Sequence, residues 1–157
     1  MQCRDDRPSS EPVRCAPLAA PWALPGPVEA IRSAPVLLVE DEPLIAVTLE
    51  DDLAEHGFAV RHSGNGAHAV QWLQDGAFAA VITDLRLPGA DGFAVLQAAR
   101  RRCRPLPVLV ITASGAAVIH ELHRRGADAV LVKPFPNEHV IAWLRAQLAG
   151  GRATGGA

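Results

Sequence analysis

Tyrosine is absent from this 157-residue chain, methionine occurs once, and phenylalanine and tryptophan together give only 4% aromatic content. A core here has to be built from aliphatic side chains, and the 49% hydrophobic content is enough for one domain with some excess at the ends. Cysteine is scarce and odd in number. Cys3, Cys15 and Cys103 show no C-x-x-C spacing, so neither a zinc site nor a disulfide framework is expected, and a reducing compartment fits. Long apolar runs are missing too. "APLAAPWALPGP" is too short and too proline-broken to span a bilayer, and "MQCRDDRPSSEPVR" has no signal-peptide core. A soluble cytoplasmic protein is expected. The net charge of −2 gives no pull towards nucleic acid or a membrane surface.

Lysine is the scarcest charged residue. Of 15 basic residues, Lys133 is the single lysine, and it stands in "VLVKPFPNEHV", where an apolar run of strand length ends before a proline. The arginines include a cluster at 100–104, "RRRCR", which reads as the solvated end of a helix.

Residues 1–33 are rich in Pro, Ala and Arg without sustained periodicity and are expected to be a disordered leader; 150–157 are expected to be a flexible Gly-rich tail. Between them, 34–149 alternates short apolar runs with amphipathic segments. "PVLLV" (35–39), "FAV" (58–60), "AAVIT" (79–83), "PVLVI" (107–111) and "AVLV" (129–132) read as five strands, several without the polar alternation of a half-exposed strand. Helices are expected from Pro43 to Gly57, over 66–75, 92–103 and 116–125, and on a last stripe of Val140, Leu144 and Leu148. Five β–α units predict an α/β fold, a doubly wound parallel sheet with helices on both faces.

In such a sheet, functional groups gather beyond the carboxyl ends of the strands. Glu40, Asp41 and Glu42 follow the first run, Asp84 the third, Thr112 and Ala113 the fourth, and Lys133 the fifth. Each has a bland reading: a helix N-terminus, a turn, a cap, a surface lysine. Their coincidence at one edge favours an acidic pocket. Carboxylates crowded together repel unless a cation joins them, and an oxygen-rich set suits Mg²⁺. A metal and an ammonium would together neutralise phosphoryl oxygens, and an aspartate is a competent nucleophile for an acyl phosphate.

The motifs "VLLVEDEPLI", "VITDLRLPGADGF", "VLVITAS" and "GADAVLVKPF" resemble, in order, the four signatures of the receiver domain of two-component response regulators. The resemblance covers nearly all of 35–149. It implies the flavodoxin-like fold with strand order 2-1-3-4-5. It further implies that Asp84 is the phosphoacceptor and that Mg²⁺ (or Mn²⁺) is held by Asp41, Asp84 and the backbone carbonyl of Arg86, with Glu40 acting through a water. Thr112 and Lys133 would contact the phosphoryl group, with backbone N–H groups near Leu85 and Ala113 completing the cradle. Lys133–Pro134 is a candidate cis bond.

The donor implied is a sensor histidine kinase or a phosphotransfer protein. The chain would not be a conventional enzyme, although it would catalyse its own phosphorylation and dephosphorylation. Output is expected from a stand-alone receiver, monomeric or dimerising on phosphorylation, through protein contacts or a phosphorelay at the face of helix four, strand five and helix five. Val130 departs from the family: it stands where strand five normally carries an aromatic switch residue. This keeps a second reading open, a pseudo-receiver that is an interaction module without phosphorylation. A magnesium-dependent phosphatase would want D-x-D on one strand, and a flavin binder a hydroxyl-rich loop after strand one; neither is present. Arg86 reads either as a cation lying across the phosphoryl group or as an exposed loop residue. Trp143 reads as core packing or as a docking anchor, and His120 with His123 as surface residues.

Overall fold

In a computed structural model the chain is described over residues 34–150; the expected leader and most of the expected tail lie outside those residues. The elements alternate as β1 (Val36–Val39), α1 (Pro43–Glu55), β2 (Val60–Ser63), α2 (Gly66–Asp75), β3 (Ala80–Asp84), α3 (Gly92–Arg100), β4 (Val108–Thr112), α4 (Ala116–Arg124), β5 (Ala129–Val132) and α5 (Asn137–Gly150). All strand pairs are parallel and the order is β2-β1-β3-β4-β5.

The apolar runs become strands because both faces of the sheet are covered. Alternate residues feed two cores. Leu37, Val39, Val81, Val108 and Val110 pack with Ala69 and Leu73 of α2, Val95, Leu96 and Ala99 of α3, and Leu122 of α4. Val36, Leu38, Ala80, Ile82, Leu109 and Ile111 pack with Leu49 and Leu53 of α1 and Val140, Ile141 and Leu144 of α5. Val140 and Leu144 of the stripe expected on the last helix are therefore on its buried face, while Leu148 is half-buried.

Local signals set the helix ends. Pro43 opens α1, where its missing N–H costs nothing. Asn65 caps α2 and Asp91 caps α3 with side-chain oxygens. Gly57, at φ +86°, takes the left-handed turn that follows α1.

Four sequence expectations are corrected. The second strand is Val60–Ser63, not 58–60, because it is an edge strand held by its pairing with β1, and Arg61 and His62 face solvent. The third helix ends at Arg100, and the arginine cluster is not simply solvated: Arg100 donates to Gly126 O and Asp128, and Arg102 to Leu73 O. Cys103 is disulfide-bonded, which the spacing of the cysteines did not show because pairing depends on approach in space. Cys3 and Cys15 lie outside the described residues. Among the described residues no helix is long and apolar enough to cross a membrane.

Candidate functional site

The carboxyl ends of β1, β3, β4 and β5 converge at one edge, and the chemistry follows from what each strand delivers there. Asp84 is the last residue of β3, and Glu40 is the first residue after β1. Both are buried, Glu40 to 1% exposure. Asp41, next along, is exposed. One carboxylate oxygen each from Glu40, Asp41 and Asp84 lies within 4.8 Å of the others.

Lys133 leaves the end of β5 and crosses to this cluster. Its Nζ donates to Asp84 Oδ2 at 2.6 Å and lies 3.4 Å from Glu40 Oε2. Burial by itself would lower the lysine pKa, but the Asp84 hydrogen bond and the two carboxylates outweigh it and leave the ammonium above its ordinary value. Glu40 moves upward, mainly through burial, with Asp84 adding repulsion against the opposing pull of the Glu42 N–H and Lys133. One ammonium thus contacts two of three clustered carboxylates and compensates the cluster incompletely. That is the donor set of a hard cation: all oxygen, excess negative charge, and an exposed member on the solvent side. Glu40, Asp41 and Asp84 are the side chains that would hold it.

Backbone positions complete the edge. The Arg86 N–H donates to Asp84 Oδ1 at 3.0 Å, while the Arg86 side chain is exposed. The Leu85 N–H donates to Ile111 O at 2.9 Å. Near Leu85, the Leu85 amide itself thus serves the join between β3 and β4, and the amide on the carboxylate is that of its neighbour Arg86. Thr112, buried at the end of β4, accepts from the Ser114 N–H at 2.9 Å through Oγ, which leaves its O–H to donate. Its carbonyl accepts from the Lys133 N–H at 2.9 Å, so hydroxyl and ammonium are carried by paired strands. Ala113 is exposed beside them. The Lys133–Pro134 bond is cis, as expected.

Val130 is half-buried and packs on the core shared with α2, α3 and α4. Trp143 packs on the opposite core. His120 and His123 are exposed.

Sequence reasoning passed over His62. Its Nε2 lies 2.8 Å from Glu40 O and its Nδ1 3.2 Å from Glu50 Oε1, fastening the backbone of the acidic pair to β2. A histidine within an edge strand gives no sequence signal of such a role. The contact joins residues 22 positions apart.

Residues 36–145 match the family model of the response regulator receiver domain. The chain belongs to that family. Among curated proteins, this receiver chain is 42% identical over 123 residues to the transcriptional regulatory protein TcrA of Mycobacterium tuberculosis, covering 77% of this chain and 47% of that protein. It is 40% identical over 115 residues to the transcriptional regulatory protein TctD of Salmonella typhimurium, covering 72% and 51%. The chain thus spans about half the length of the curated relatives it matches. Among solved structures it is similar to the receiver domain of the sensor histidine kinase PA1611 from Pseudomonas aeruginosa, described with a magnesium ion coordinated in the active site cleft. That likeness has TM-score 0.67 and 26% identity, covering 74% of this chain and 98% of that one. The chemotaxis response regulator CheY4 of Vibrio cholerae matches with TM-score 0.65 and 28% identity, covering 73% and 98%.

Proposed function

We propose that this receiver domain accepts a phosphoryl group on Asp84 from the phosphohistidine of a sensor kinase or phosphotransfer protein, with Mg²⁺ (or Mn²⁺) as the resident cation. The observation that carries the reading is the Asp84 carboxylate at the strand edge, bonded to Lys133 and the Arg86 amide and crowded by Glu40 and Asp41.

An Asp84 oxygen attacks phosphorus, a P–O bond forms, and the P–N bond to the donor imidazole breaks. The imidazole leaves with the electron pair of that bond and takes up a proton. Lys133 exchanges part of its contact with Asp84 for a phosphoryl oxygen, the Thr112 hydroxyl donates to another, and the Ala113 amide borders the same space. A divalent cation, when bound by Asp41, Asp84 and the Arg86 carbonyl, with Glu40 acting through a water, supplies charge neutralisation for the transferring group. Hydrolysis returns inorganic phosphate and the free carboxylate, so the domain turns over its own modification without being a conventional enzyme.

Output runs through protein contacts at the face of α4, β5 and α5, in the cytoplasm where donors of this kind work. With Val130 in place of an aromatic, the β5 position offers no ring to swing, and Thr112 carries the switch alone.

Beryllofluoride with Mg²⁺ tests the reading. Amide resonances of Asp84, Thr112 and Lys133 are expected to shift in the wild type and not in Asp84→Asn. Wild-type spectra unchanged by the mimic and by Mg²⁺ would instead support the pseudo-receiver.

A further inference from the structure

We infer that the amino-terminal turn of α2, Asn65 and Gly66, is a seat that positions the loop carrying Arg86, and through it the metal and phosphoryl site; this rests on the function proposed above. The loop at 85–91 joins the phosphoacceptor strand to α3, and its backbone lies directly against this turn. The Gly66 N–H donates to Pro88 O at 3.0 Å, and the Ala90 N–H donates to the same carbonyl at 3.0 Å. A Cβ on Gly66 would stand 1.8 Å from Ala90 O and 2.7 Å from Ala90 C. Those are backbone atoms, so only movement of the loop would make room.

Asn65 closes the other side. Its Oδ1 caps α2 by accepting from the Ala67 and His68 N–H groups. A Cβ on Gly89 would fall 2.3 Å from that oxygen, and Gly89 also holds φ at +81°. Asn65 is itself tied to the end of β2: its N–H donates to Ser63 Oγ, and Ser63 Oγ donates to Asn65 O. Ser63 O in turn accepts from the Glu40 N–H at 3.1 Å. At the far end of the loop the Gly92 N–H donates to Leu85 O at 2.8 Å, and a Cβ there would meet Asp84 O at 2.5 Å.

Arg86 therefore sits in a segment anchored at both flanks, with its N–H on Asp84 Oδ1. The seat joins both halves of the acid site, Glu40 through Ser63 and Asp84 through the loop. Asn65 and Gly66 touch neither phosphoryl group nor metal; they act by fixing the backbone that does.

The test is a Mg²⁺ titration of the full chain, followed at the Arg86 amide resonance and at temperatures where each variant is folded. Gly66→Ala is expected to weaken Mg²⁺ binding roughly tenfold or more, the scale of losing a group that orients ligands, and to shift the Arg86 amide before metal is added. Gly57→Ala is the control. It forces a residue with Cβ into φ +86° at the far end of α1, where nothing lies within 4 Å, so it should lower stability and leave Mg²⁺ affinity at the wild-type value. If Gly66→Ala does not fold, Gly89→Ala is measured in the same way. Wild-type Mg²⁺ affinity together with an unmoved Arg86 amide in the folded variant overturns the seat. A wild type that binds no Mg²⁺ overturns the proposed function instead, and the Arg86 amide of the metal-free variant still decides the seat.

Discussion

The two ends of the sheet treat charge in opposite ways. At the carboxyl edge, Glu40, Asp41 and Asp84 cluster around one ammonium that pairs with Glu40 and Asp84, and burial, with Asp84 adding repulsion, pushes the Glu40 carboxyl above its ordinary range. At the other edge, where β4 and β5 begin, Arg100, Arg124 and Arg125 find partners within the chain. Arg100 holds Gly126 O and Asp128, whose carboxylate also takes the Val108 N–H. Arg124 and Arg125 share Glu121, which their proximity holds below the usual carboxylate range, the Arg125 hydrogen bond first among the causes. Charge that is satisfied locally fastens elements together. Charge left uncompensated in a buried place is what a ligand would relieve, and this separates the candidate site from the paired arginines Arg100, Arg124 and Arg125.

The largest effect should come from the acidic edge. Lys133→Met leaves Glu40 and Asp84 facing one another without a cation, and its phosphorylation rate by a small phosphodonor should fall by roughly 10²-fold or more. Lys133→Arg should recover little of it, because a planar fork does not replace a compact ammonium between two carboxylates. Rate constants from single-turnover assays check both. Asp41→Asn removes the exposed carboxylate and should weaken Mg²⁺ roughly tenfold or more by titration calorimetry, leaving thermal stability in chelator nearly unchanged.

The opposite edge should respond the other way round. Arg100→Ala loses bonds to Gly126 and Asp128 and should cost roughly 1–2 kcal/mol in urea unfolding, with Mg²⁺ affinity unaltered. Arg124→Ala breaks an exposed pair and should leave the urea-unfolding midpoint nearly unchanged.

A pH comparison sharpens the contrast further. Glu40 has a folded-state pKa raised above 4.5, so in chelator the folded state holds its proton more tightly than the unfolded one. Its contribution to stability therefore falls as pH rises from 4.5 through the raised value. Wild type should lose stability relative to Glu40→Gln across that window in parallel unfolding curves, and Mg²⁺ should reduce the loss.

Much of this was legible from sequence because parallel strands covered on both faces are written as unbroken apolar runs, and the residues after each run fall at one edge by topology. That rule places Asp41, Asp84, Thr112 and Lys133 at one edge, where the structure has them. What was missed shares a cause: it depends on contacts between distant segments. The β2 boundary is set by pairing with Val36–Val39 rather than by composition. The Leu85 amide is engaged by Ile111, 26 residues on by the sequence numbering. The Asn65–Gly66 seat is read from backbone atoms of Ala90 that no local pattern places beside it.

If the uncompensated acid at the carboxyl edge is a phosphoacceptor site, Asp84 takes up a phosphoryl group. Intact-mass analysis after incubation with Mg²⁺ and a small phosphodonor addresses it most directly. The wild type should gain one phosphoryl group, lost in hydroxylamine and absent from Asp84→Asn. A wild type that gains no phosphoryl group with any donor, or an Asp84→Asn variant that gains it equally, would rule out Asp84 as the phosphoacceptor.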